Sequence, residues 1–96
     1  VLDERKKFAI SNQLLRSATS IGANVREAQN AESESDFVHK LKIAAKEAEE
    51  TMYWLDLCLY SPTYPNTENE KTELLSIIRI INKIIGTIKT KHQLAN

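Results

Sequence analysis

Residues Gln13–Gln29 read QLLRSATSIGANVREAQ, and two interleaved heptad series run through them. Leu14, Ala18, Ile21, Val25 and Ala28 recur at spacings of 4, 3, 4 and 3. One residue earlier, Gln13, Ser17, Ser20, Asn24 and Glu27 repeat the same spacings. A helix turns roughly 100° per residue, so the first series forms an apolar stripe and the second a small, polar shoulder beside it. A helix that keeps such a shoulder next to its core stripe expects close neighbours on two sides. The stretch is therefore read as part of an all-α helical bundle.

Working outward, the first complete helix is expected from about residue 8 to residue 29. Val1–Lys7 is short and charged, and reads as the end of an earlier element plus a loop. Gly22 lies inside the helix at a cost of about 1 kcal/mol against alanine, and a close helix–helix approach would compensate it. After the polar turn NAESES, Ser33 and Asp36 form an S-x-x-D capping box, with Glu34 and Asp36 at the positive end of the next helix dipole. That helix is expected over residues 34–60. Its apolar seam is Phe37, Leu41, Ala44, Ala48, Met52, Leu55 and Leu59; Lys40, Glu47, Thr51, Trp54 and Cys58 line one shoulder. Pro62 and Pro65 interrupt it in the loop SPTYPN. Thr67 and Glu70 form a second capping box, and a third helix is expected over residues 68–92. Leu74, Leu75, Ile77, Ile78, Ile80, Ile81, Ile84, Ile85 and Ile88 cover an arc of roughly 220° on it, wider than the stripe of somewhat over 100° that one bundle contact needs. The excess asks for a further helix or another chain.

Ninety-six residues make one domain, 1–96. The apolar share of 42% and charged share of 27% are those of an ordinary globular protein. Net charge is zero, so no whole-chain field favours nucleic acid or an anionic membrane. Two glycines and two prolines favour long helices over many short strands. The single cysteine, Cys58, excludes an intrachain disulfide and fits a reducing cytoplasm. There is no signal peptide and no apolar run of bilayer length, so no membrane association is expected. The chain begins at Val1 rather than Met, and an upstream segment is expected.

The candidate chemistry is sparse. Di-iron bundles need inward glutamates and a Glu-x-x-His from each of two helices. Here Asp36-Phe37-Val38-His39 is the one relative, and the second histidine, His92, has Lys89 three residues before it. No metal and no cofactor are expected. Cys58 reads as a buried structural thiol, Ser17 and Ser20 sit on no nucleophile elbow, and Gly22 and Gly86 make no phosphate loop. No catalytic residue is named and no enzymatic activity is expected. The polar residues Arg16, Ser20, Asn24, Glu27 and Glu47 read as a structural seam between helices, with Lys40 a further member, while Glu49 and Glu50 include a solvated face. Trp54 and Tyr53 read as packing residues. From Leu74 onward there is no acidic residue, and Arg79, Lys83, Lys89 and Lys91 are basic. In a symmetric ring these side chains would gather into bands able to hold RNA.

The run QLLRSATSIGANVREAQNAES, followed by DFVHKLKIAAKEAEETMYWLDL, resembles the four-helix-bundle family encoded by intervening sequences of 23S rRNA genes, some members of which are called S23 ribosomal proteins. The likeness spans about residues 8–59 and includes the ending Glu50, Thr51, Tyr53, Trp54 and Leu55. The resemblance implies an antiparallel up-down bundle of four-helix type that assembles as a homopentamer. A related branch includes the accessory protein of diversity-generating retroelements, which works with a reverse transcriptase and RNA, so an RNA or ribonucleoprotein partner is the alternative. The family pattern places a long helix before the position matching Val1, so a first helix is expected to be missing or truncated here. The expected function is a non-enzymatic, homo-oligomeric bundle protein; the alternative is an RNA-binding accessory protein acting through basic rings.

Overall fold

The computed structural model describes residues 2–58 and 66–95. Three helices follow in order: α1 (Leu2–Gln29), α2 (Glu34–Cys58) and α3 (Glu68–Ala95). Among the described residues there is no strand. The all-helical architecture thus follows the heptad pattern, with three helices among the described residues. A missing first helix is not borne out. The residues read as a loop and a fragment are helical from Leu2 onward. The physical reason is composition: Leu, Glu, Arg and Lys are all good helix formers, and the acidic pair Asp3–Glu4 precedes the basic run, as the dipole prefers.

The turn into α2 follows its sequence. Asp36 N donates to Ser33 Oγ at 3.0 Å, and Phe37 N donates to Ser33 O at 2.9 Å. The start of α3 differs from the expected capping box. Glu68 N donates to the Asn66 side-chain oxygen at 2.9 Å. The Thr67 hydroxyl crosses to α2 and donates to Leu55 O at 2.9 Å, with Thr67 itself buried. A buried carbonyl near the end of α2 makes a better acceptor there than the threonine makes a cap. The expected end of the second helix at Tyr60 and most of the loop SPTYPN, with Tyr64, lie outside the described residues.

α2 is the middle helix. α1 and α3 both pack on it, while no Cα of α1 comes within 8 Å of one of α3 among the described residues. Only side chains bridge the outer two. Ala28 of α1, Leu41 and Ala44 of α2 and Ile81 of α3 form one buried cluster, with Val25, Phe37, Ala45 and Ile85 packed round it. Ala48, Leu55, Leu74 and Ile78 form a second, with Leu14, Ile21 and Met52 against it. The alanines at 44 and 48 have no exposed surface, which lets α2 sit close to its neighbours.

Two expectations for α1 are corrected. Its buried line runs through Ser17, with Ile21 half-buried and Ala28 buried, while Ala18 is exposed. The contact axis therefore falls between the two heptad series. Gly22 is exposed too, and a Cβ built there meets nothing within 4 Å. It lies roughly 140° round the helix from Ser17, away from α2, so no helix among the described residues uses the space. Tyr53, read as packing, is likewise 55% exposed, with its ring set edge-on to Trp54 at 5.0 Å.

Candidate functional site

The polar shoulders of α1 and α2 meet. Ser17 is fully buried at the centre, where its hydroxyl lies 2.9 Å from that of Thr51. Each hydroxyl also reaches a carbonyl of its own helix, Ser17 to Leu14 O at 3.3 Å and Thr51 to Glu47 O at 2.8 Å. Two hydroxyl protons thus serve three contacts. Ser17 stood in the polar series but outside the named seam. Its size and its partner at the matching α2 shoulder position are the signals that could have promoted it.

Outward from this pair, Arg16 lies against both Glu47 and Glu50. Its Nη1 is 3.5 Å from Glu47 Oε2, and its Nη2 forms a short contact with Glu50 Oε1. Trp54 Nε1 donates to the same Glu50 oxygen at 3.4 Å. Glu50 is therefore a half-buried member of the seam, while Glu49 is solvated. Glu47 Oε2 is buried and makes no hydrogen bond; its approach to Arg16 is an ion pair without hydrogen-bond geometry. At the other end Lys40 Nζ lies 3.0 Å from Glu27 Oε2. Ser20 and Asn24 do not reach across: Asn24 Nδ2 donates to Ser20 O at 2.9 Å and to its hydroxyl at 3.2 Å, all within α1.

The hydrogen bond from Arg16 holds the Glu50 carboxyl below its ordinary value, and the same bond, chiefly, raises Arg16. The Glu34 carboxyl is lowered by the short contact with His92 Nε2 and then by Lys91 Nζ at 3.3 Å. A carboxyl depressed in the folded state contributes stability above its unfolded pKa and loses it as pH falls through the folded value. Stability should thus decline as pH drops below about 4.3. Arg16→Gln should be the less stable at neutral pH and the less acid-sensitive, with its urea midpoint changing less than that of the parent chain between about pH 5 and pH 3. Equal acid sensitivity in both proteins would remove Arg16 as the cause.

Arg79, Lys83, Lys89 and Lys91 on α3 are all exposed but do not converge. Lys89 borders a groove of about 500 Å³ between α2 and α3, floored by Val38, Ile85 and Ile88 and flanked by His39, Lys42 and His92. Lys83 and Lys91 border a separate hollow with Gly86, Thr87 and Thr90. Arg79 borders neither. His39 and Lys42 escaped the sequence reading because they sit on α2 and join Lys89 only through packing. Among the described residues no three His, Cys, Asp or Glu side chains are placed to hold a metal, and no helix is long and apolar enough to cross a membrane. Cys58 is buried, and desolvation raises its thiol pKa.

Three long helices, the first two joined through a hydroxyl pair and ion-paired shoulders and the third packed on α2, define a helical-bundle protein whose most developed polar feature is a helix–helix seam. The chain belongs to the 23S rRNA-intervening sequence protein family, whose model matches residues 1–87. It is similar to a crystal structure of a protein with unknown function from the S23 ribosomal protein family of Bacteroides thetaiotaomicron. The two share 44% identity at a TM-score of 0.79, over 88% of this chain and 80% of that one. No curated protein matches the chain.

Proposed function

We propose that the chain is a non-enzymatic, homo-oligomeric scaffold of the cytoplasm whose copies assemble as a homopentamer. The observation that carries this reading is on α3, where Ile77, Ile80 and Ile84 are 41%, 60% and 38% exposed at helical spacing. Single apolar side chains on a surface need no explanation, but a continuous strip does. The ring size rests on the family resemblance. An antiparallel bundle of four-helix type belongs to the same reading. Glu27 pairs with Lys40 and Arg16 with Glu50, so positions fall on α1 as they rise on α2. Light scattering in dilute solution should give a pentamer of the 10.9 kDa chain; a clean monomer would overturn the reading.

The second reading is an RNA-binding accessory protein. What favours it is the exposure of Arg79, Lys83, Lys89 and Lys91 on a helix without acidic residues after Glu73. Affinity for a structured RNA should then fall steeply with salt, and replacing these four by alanine should flatten that dependence. No binding at low salt would end this reading.

A further inference from the structure

The groove of about 500 Å³ between α2 and α3 falls within the size range of small-molecule sites, and no residue of α1 lines it. Its floor is Val38, Ile85 and Ile88, all half-buried. Lys42 on α2 and Lys89 and His92 on α3 stand on its walls. Glu34 is the one acidic side chain of the lining, and it is already engaged by His92 and Lys91. Lys42 lies about 12 Å along α2 from Glu34, farther than an exposed charge reaches in physiological salt. Lys42 and Lys89 are exposed, and neither takes part in an ion pair among the described residues. Two uncompensated cations thus flank an apolar floor. The groove is also separate from the exposed isoleucine strip, since Lys89 lies roughly 140° round α3 from Ile84.

We propose that this groove binds a small organic acid, a monocarboxylate with a compact apolar body. The carboxylate sits between Lys42 and Lys89, and the body lies along Val38, Ile85 and Ile88. Glu34 pairs with His92 and Asp56 with Lys71, so positions fall on α3 as they rise on α2. Counted from the Glu34–His92 pair, Lys42 is level with Ile84, and it starts about 7.5 Å along the axis from Lys89. Side chains of a helix lean toward its N-terminus. Lys42 and Lys89 therefore lean toward one another along the groove, and Lys89 leans away from Glu34. An ammonium is a point charge on a flexible stem, so a carboxylate can take one on each oxygen. A bare inorganic anion would leave the floor wet, and a neutral apolar molecule would draw nothing from the two ammoniums. A molecule with both parts uses both features. The Glu34–His92 pair closes one end, so the body is limited to the roughly 12 Å between the levels of Glu34 and Lys42. Every lining residue comes from one chain, so the site is complete whatever the number of copies that assemble.

The test is calorimetric titration of the full chain at low salt with octanoate, acetate and octanol. Octanoate should saturate at one molecule per chain, with an affinity that falls as salt is added. Acetate lacks the body and octanol lacks the charge, and each should bind at least about tenfold more weakly. Lys42→Gln and Lys89→Gln should each weaken octanoate about threefold, and the double variant about tenfold, while octanol is unaffected. Both side chains are exposed, so these variants keep the fold, and circular dichroism checks that they do. Arg79→Gln removes an exposed cation of α3 that borders no part of the groove and should change nothing. Val38→Thr should weaken octanoate and octanol alike, because it makes the floor polar. No saturable binding of octanoate, octanol bound as tightly as octanoate, or lysine variants like the parent would overturn the site. So would a Val38→Thr variant of unchanged affinity. An equal loss in Arg79→Gln would overturn it too, as the mark of general attraction between an anion and a basic helix.

Discussion

Ile81→Ala should lower the stability of the chain by about 2–5 kcal/mol, the usual range for emptying a buried aliphatic position. Ile81 is 4% exposed, and it is the α3 member of the cluster formed with Ala28, Leu41 and Ala44. Two of those neighbours are alanines, which have no rotamers with which to fill a void. The outer helices make no close backbone approach, so this side chain is among the few bridges from α3 to α1. The loss should appear as a lower urea midpoint at unchanged slope, measured at one chain concentration so that assembly does not shift the comparison. A loss under about 1 kcal/mol would mean that the site collapses round the gap and that Ile81 anchors little.

The second large effect concerns the hydroxyl pair. Thr51→Val should cost about 1–3 kcal/mol, because it removes a partner from the fully buried Ser17 hydroxyl and leaves that group short of hydrogen bonds. Ser17→Ala should cost a similar amount from the other side. The double variant Ser17→Ala/Thr51→Val should cost less than the two together by about 0.5–3 kcal/mol, since neither hydroxyl then waits for the other. Denaturation of all four proteins measures the coupling. Strictly additive losses would show that each hydroxyl is served by its own helix carbonyl and that the cross-helix contact contributes nothing.

The heptad spacing made the helices legible, and Ser33 marked the start of α2 because its capping chemistry is local. The misses share a cause: they depend on what stands opposite. Ala18 and Ser17 are adjacent, and only the position of α2 decides that the serine is buried and the alanine exposed. Thr67 carries a capping signature, yet a carbonyl twelve residues back competes for its hydroxyl. Gly22 suggested a close approach that no helix among the described residues makes. For the seam, Arg16 with Glu47 and Glu27 with Lys40 could be paired from matching shoulders, since salt-bridge partners announce themselves by sign. The basic set could not be grouped correctly, because Lys89 shares its groove with His39 and Lys42 of another helix, while Arg79 stands apart.

The placement of α2 between two helices whose backbones stay apart also sets the order in which the molecule can come undone. α3 can peel away while α1 and α2 keep their hydroxyl pair and all of their mutual ion pairs, because none of those contacts involves it. The reverse does not hold, since removing α2 leaves two helices with only a few side chains in common. Unfolding from the α3 side is thus graded into a detachable arm and a persistent hairpin, and it is the arm that carries both the unpartnered isoleucines and the basic side chains.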